Sequence, residues 1–217
     1  MVAVVNPWKG KTVLITAGPT REYLDPVRFM TNASSGRMGF SLAAAARDWG
    51  ARVILISGPT SVRPPRGVRW ASVITARQMH RQVMRYLPQT DAVIGASAVG
   101  DWRFENMRNR KIKRGSEPFQ VTLLPNPDIL KEVGRKKQGR VIVGFALETD
   151  RWLQNAWKKL VEKKMDLVVA NRPESMGRSP SRILILDRLG RQYRFPAMSK
   201  DQAAKVILKH AGRFFLN

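Results

Sequence analysis

With 217 residues, 43% of them hydrophobic, the chain is long enough for one substantial core, and no apolar run reaches the roughly 18 residues that a membrane span needs. The absence of cysteine excludes disulfides, thiolate metal sites and cysteine nucleophiles, and fits a cytoplasmic location. Thirty-nine Lys and Arg against 16 Asp and Glu give a net charge of +23, which favours anionic partners but, spread along the whole sequence, singles out none.

The chain opens MVAVVNPWKGK, with no positive segment ahead of its apolar residues, so no signal peptide is expected. TVLITA (Thr12 to Ala17) is a continuous apolar and β-branched run, the pattern of a strand buried on both faces. A long polar connection, Pro19 to Ser35, leads to GRMGFSLAAAARDWG, which predicts a helix from Gly36 to Gly50. Ser34 or Ser35 is placed to cap it and Gly50 to stop it. ARVILIS predicts a second buried strand, GPTSVRPPRG a loop and VRWASVI a third strand. Thr75 is set to cap a helix through ARQMHRQVMRYL.

DAVIGASAV (Asp91 to Val99) predicts the fourth strand, and a basic stretch from Gly100 to Gly115 interrupts the pattern. FQVTLL reads as a short strand, then NPDILKEVGRK as a helix capped by Asn126 with Pro127 at its first position. RVIVGFAL is a strand, TDRWLQNAWKKLVEKK a helix with Leu153, Ala156, Leu160 and Val161 as its apolar stripe, and MDLVVAN a further strand. The chain closes with a hairpin, SRILILD-RLG-RQYRFP, and a helix from Ser199 to about His210. His80 and His210 fall inside helices and read as ordinary helix residues.

Strands alternating with helices imply a single α/β domain, a Rossmann-like, mostly parallel sheet flanked by helices and ending in a β-hairpin. Ligands of such sheets sit beyond the carboxyl ends of the strands, here Ala17-Gly18, Ser57-Gly58, Ser97 to Asp101 and Phe145 to Glu148. An NAD site would place an acid after the second strand, where this chain has Ser57 and Gly58. An NADP site using Arg63 or Arg66 stays open. An NADP-dependent reductase of this class would carry a Tyr-x-x-x-Lys pair, and none of the three tyrosines has one. A basic nucleic-acid-binding module is the other alternative, with binding that weakens with salt.

The first connection is far longer than the usual roughly 2–6 residues, and such loops in compact domains are generally functional. Its sequence, within LITAGPTREYLDPVRFMTNASSGRMGFSLAAAA, closely resembles phosphopantothenoylcysteine synthetase, the ligase of coenzyme A biosynthesis. The likeness continues in order through ISGPTSVRPPRGV, SAVGDWR, KIKR, NPDIL, VGFALETD, AWKKLVEKKMDLVVAN and FPAMSKDQAA, from about Lys11 to His210.

The resemblance implies a ligase that joins 4′-phosphopantothenate to cysteine through an acyl-cytidylate, using CTP and Mg2+ and releasing CMP and pyrophosphate. It also implies a homodimer. With only about ten residues before the first strand, it implies a stand-alone form without a decarboxylase domain and without flavin. Residue by residue, it places Asn32 and Arg28 at the acyl-transfer step and Lys111 on the nucleotide phosphates. Asp101 and the backbone of Ala98 fall on the cytidine, and Pro127, Asp128, Ile129, Leu130 and Phe145 on nucleotide-contact segments. Lys159 and Lys163 fall near the triphosphate; no metal ligands are assigned. Nucleic acid is expected to bind only non-specifically. The chain departs from the family pattern at Ser97, Gly100 and Arg114, and in MGRSPSRILI, where aspartates and asparagines are expected.

Overall fold

The computed structural model describes residues 6–148, 150–171 and 181–216. In chain order the elements are β1 (Thr12–Ala17), β2 (Arg21–Tyr23), β3 (Phe29–Thr31), α1 (Arg37–Asp48), β4 (Arg52–Ser57), β5 (Arg69–Ser72) and α2 (Ala76–Tyr86). There follow β6 (Ala92–Gly95), β7 (Trp102–Phe104), β8 (Leu123–Pro125), α3 (Ile129–Arg135), β9 (Val141–Leu147), α4 (Trp152–Glu162), β10 (Leu167–Asn171), β11 (Ser181–Asp187), β12 (Gln192–Met198) and α5 (Lys200–Gly212).

Eight strands form one sheet in the order β12-β11-β10-β9-β6-β1-β4-β5. From β5 to β10 every pairing is parallel; β11 and β12 extend one edge as an antiparallel hairpin. This is the expected Rossmann-like sheet. Its strand order reverses between β1 and β6, which opens a crevice at their carboxyl ends. Period-two alternation divides the core: Val13, Ile15 and Ala17 of β1 pack with α1 and α5 on one face, while Leu14 packs with α2, α3 and α4 on the other.

Several predicted boundaries move. No serine caps α1: the cap is Gly36 at φ 77°, and Ser34 Oγ accepts from the Gly36 N–H at 3.3 Å. Gly39 lies so close to β1 that a Cβ there would stand 2.4 Å from the Ala17 Cβ. The two glycines of this turn thus serve close packing of helix on strand. Gly50 does end the helix, at φ 81°, with Gly50 N bonding Arg47 O and Ala51 N bonding Ala46 O in a Schellman arrangement.

Thr75 caps α2 as expected, and the structure adds a reciprocal box with Gln78. The cap of α3 is Asp128 rather than Asn126, because the Asp128 carboxylate reaches Lys131 N at 3.0 Å. The fourth strand ends at Gly95, since Ala96 to Val99 leave the sheet as a loop. The FQVTLL strand shrinks to a short ribbon of β8 with β7, and VRWASVI to β5. Val161 is 68% exposed, because Trp152 and Trp157 complete the sheet-facing stripe of α4 with Leu153, Ala156 and Leu160.

Candidate active site

The long first connection is ordered by its own hairpin, β2 against β3, and by the turn between them. There Asp25 Oδ1 accepts from Val27 N and Arg28 N, both at 2.9 Å, as an Asp-Pro turn allows. Asp25 Oδ2 takes the Arg28 guanidinium at 2.5 Å and, far along the chain, Ile112 N at 3.1 Å. Arg28 also donates to Ile112 O at 2.6 Å. Burial alone would raise the Asp25 pKa, but these backbone N–H groups and the guanidinium outweigh it and hold the carboxyl well below the usual range. This cluster joins the loop to the segment carrying Lys111, which is itself exposed.

Loops beyond the strand ends are zipped together at the crevice. Ala98 N bonds Gly18 O at 2.9 Å, Thr20 N bonds Ala98 O at 3.2 Å, and Thr16 Oγ1 lies 2.8 Å from Ser97 Oγ. Asn32 Nδ2 donates to Ala98 O at 3.3 Å and Val99 O at 3.1 Å, so its amide clamps the outside of this loop. Gly100 N bonds Thr20 Oγ1 at 2.9 Å, and Glu22 accepts the Ala76 N–H of α2 at 2.9 Å. Burial pushes the Glu22 carboxyl up, against the opposing effect of that N–H and of Arg103.

Inside the crevice lies a cavity of about 220 Å³. Asp101, Pro127, Asp128, Ile129, Leu130, Phe145, Lys159 and Lys163 all line it, with Thr16, Ser97 and Val99. Ala98 itself does not, although both its neighbours do; Asn32, Arg28 and Lys111 stand outside its lining. Lys159 and Lys163, one turn apart on α4, are paired with Glu148 at 2.5 Å and Asp128 at 3.0 Å. The cavity therefore combines apolar walls from Val99, Leu130 and Phe145, carboxylates at Asp101 and Asp128, and two ammonium groups. That mixture suits an organic ring system bearing a chain of negative charge.

Ser97, which the sequence marks at a strand end and as a departure from the family pattern, joins the lining, but sequence reasoning missed two polar contributors. Thr16 is hidden inside an apolar strand, and Asn126 reads from the sequence as a helix cap. Its Nδ2 donates to Gly100 O at 2.9 Å and its backbone N to Asp101 O at 2.8 Å, while Oδ1 is buried with no donor among the described residues. The Asn-Pro dipeptide was the available signal. The Asp25 cluster was also missed; its signal was the Asp-Pro turn. Among the described residues no group of three or more His, Asp or Glu is arranged to hold a metal ion. No helix among them is long and apolar enough to cross a membrane. Half of the departure at MGRSPSRILI, residues 176–180, lies outside the described residues, and the other half begins β11.

Comparison with known proteins agrees with this architecture. The C-terminal domain of Coenzyme A biosynthesis bifunctional protein CoaBC, as a crystal structure, superposes with a TM-score of 0.84 at 37% identity, over 96% of this chain and 97% of that one. CoaBC of Bacillus subtilis (strain 168) is 41% identical over 208 residues, 94% of this chain and 51% of its own length. That of Borreliella burgdorferi is 35% identical over 204 residues, 93% and 52% of the two. The chain thus spans about half the length of the curated relatives it matches. The profile of the DNA/pantothenate metabolism flavoprotein C-terminal domain matches residues 8–214, and the chain belongs to that family.

Proposed function

We propose that the chain is a cytoplasmic phosphopantothenate–cysteine ligase that uses CTP. The observation that carries this reading is the cavity at the strand-order reversal, where Asp101, Pro127 to Leu130, Phe145, Lys159 and Lys163 converge. In the first step a carboxylate oxygen of 4′-phosphopantothenate attacks the α-phosphorus of CTP. An acyl-cytidylate forms and pyrophosphate leaves. The amino nitrogen of cysteine then attacks the acyl carbon, CMP departs and the nitrogen loses a proton.

Two anions must be brought together, so positioning and charge neutralisation carry the catalysis. Phe145, Val99 and Leu130 offer faces for the base, and Asp101 an acceptor for the sugar. Lys159 and Lys163 exchange their carboxylate partners for phosphate oxygens. Asn32 serves the acyl group by releasing the Ala98 and Val99 carbonyls and turning its N–H groups to the developing oxyanion. Arg28 and Lys111 act from the neighbouring loop and arm, joined through Asp25 and Ile112. Mg2+ usually binds through substrate phosphates and one or two carboxylates, so Asp101 and Asp128 fit an ion delivered with the nucleotide, where it would screen phosphate charge. The reaction requires no flavin.

The segment between β7 and β8 exposes Met107 (54%), Phe119 (55%) and Val121 (44%), beside Trp102 at 51%, which supports its use as an arm on a second copy in a homodimer. Any binding to nucleic acid is expected as a non-specific effect of charge.

The test is pyrophosphate release with 4′-phosphopantothenate, cysteine and Mg2+, run separately with CTP, ATP, GTP and UTP. Release with CTP is expected. Release with ATP instead would keep the ligase and overturn the nucleotide choice. No release from folded protein with any nucleotide would overturn the ligase reading itself.

A further inference from the structure

A second concavity lies across Pro127 from the nucleotide cavity. It is an open cleft of about 430 Å³ lined by Arg77, His80, Arg81, Arg103, Pro125 and Pro127. Arg77, His80 and Arg81 occupy positions i, i+3 and i+4 of α2, and so share one face of the helix. Arg103 comes from β7 on the opposite side, where its guanidinium also donates to Pro125 O. Three guanidinium groups thus converge from two elements.

Of the three, Arg103 feels the Glu22 carboxylate. Arg77 and Arg81, like charges one turn apart, form no ion pair with a described residue. The nearest acid on α3, Glu132, is already shared between His80 at 2.5 Å and Lys136 at 3.0 Å. Like charges at this spacing cost helix stability, a cost that an anion between them removes. Guanidinium forks match phosphate oxygens in planar, paired hydrogen bonds, and three of them suit an anion with more than one charge. The two prolines form a rigid floor; Pro125 O takes one Arg103 N–H, and the guanidinium's other N–H groups and those of Arg77 and Arg81 are left for an anion.

We propose that this cleft is a second anion site, separate from the nucleotide cavity, that takes a small inorganic di- or oligophosphate. Pyrophosphate is the natural probe, being the right size and charge. It can reach the cleft from solution or as the product of the neighbouring reaction. Because the cleft shares Pro127 with the cavity, occupancy bears directly on the segment that carries Asp128 to Leu130.

The experiment is calorimetric titration of the full chain with pyrophosphate at about 0.15 M ionic strength, where diffuse attraction is largely screened. It is done with and without saturating CTP. Expected is one pyrophosphate site per chain that survives CTP, weakened at least about tenfold in the double variant Arg77→Ala/Arg81→Ala and in Arg77→Gln. Arg194→Ala, an exposed cation on β12, should leave it unchanged. The proposal is overturned if CTP abolishes all pyrophosphate binding, or if the α2 variants bind as the parent does. It also fails if Arg194→Ala weakens binding equally, which would reduce the effect to net charge. Inorganic phosphate in place of pyrophosphate should bind more weakly; equal binding would overturn the multi-charged specificity. Failure of CTP itself to bind counts against the nucleotide reading alone, since the arginine dependence of pyrophosphate binding still decides this one.

Discussion

The carboxyl end of the sheet and the arm between β7 and β8 meet at Asp101, yet they are built in opposite ways. At the sheet, the loops after β1, β4 and β6 are held to one another by backbone hydrogen bonds, and the cavity is lined by loop residues together with buried strands and the helices packed on them. The arm has almost no internal ladder. It hangs from the body by Arg108 N to Leu24 O at 2.9 Å and by the Asp25–Arg28–Ile112 cluster, and leaves Met107 and Phe119 uncovered. A rigid half that binds and a tethered half that covers is a common division of labour in enzymes that must exclude water.

The largest effect expected in breaking this contrast is on the rigid side. Lys159→Ala and Lys163→Ala should each raise the KM for CTP about ten- to a hundredfold, with an unchanged melting curve, because each removes a charge-assisted contact to phosphate. Steady-state pyrophosphate release gives the number, and a change below about twofold sinks their assignment. On the tethered side, Asp25→Asn keeps the side-chain shape but gives up the charge that gathers Arg28 and Ile112 N. Trypsin should then cut at Arg108 to Arg114 roughly tenfold faster, while the sheet unfolds much as before. Cutting at the parent rate would show that something else holds the arm.

A smaller pair of substitutions sharpens the same contrast. Gly39→Ala drives a methyl into Ala17 and should cost about 1–3 kcal/mol in denaturant unfolding. Gly115→Ala, whose Cβ would meet only Glu117 N at 3.9 Å, should stay within about 0.5 kcal/mol. Equal costs would mean that the turn of Gly36 and Gly39 is not packed as described.

The smallest effect lies far from both regions. His210 on α5 is buried against Tyr193 and Phe195, with ring centroids 4.3 and 5.6 Å away, while Asp187, Lys209 and Arg213 surround it. Burial, with Arg213 and Lys209, lowers its pKa from 6.5 to about 4. The unfolded chain therefore takes the proton first, so this contribution is complete above about pH 6.5 and lost as pH falls toward 4. His210→Gln should flatten the fall in urea midpoint between those pH values. Glu22, whose folded pKa is raised, contributes with the opposite sign in the acidic range and is common to both proteins, so the difference isolates His210.

How far the sequence foretold these features follows from the range of the forces involved. β1 is legible residue for residue, because a strand buried on both faces must be a continuous apolar run. The extension of β6 to Val99 fails for a local reason: small residues permit an extended chain without requiring a partner strand. The Ser34 and Ser35 caps fail because close packing on β1 selected a glycine at the helix start. Phe145 resembles any core residue and Lys159 with Lys163 any wet helix face, so their convergence on one cavity came from family resemblance rather than from periodicity. The Asp-Pro turn is legible at Asp25, but its pairing with Ile112 is not, since the partners lie 87 positions apart.

That separation also bears on the order of folding. Closing a loop of such length gains nothing until both ends have been brought near by other contacts. β1, β4 and β6 must therefore pair before Asp25 can meet Ile112, and the arm finds its place after them. Pulse-labelled hydrogen exchange during refolding should find the Ile112 amide protected later than those of Leu14 and Ile94. Simultaneous protection would contradict this order. A nascent chain would thus pass through a state with its sheet complete and its basic arm still at large.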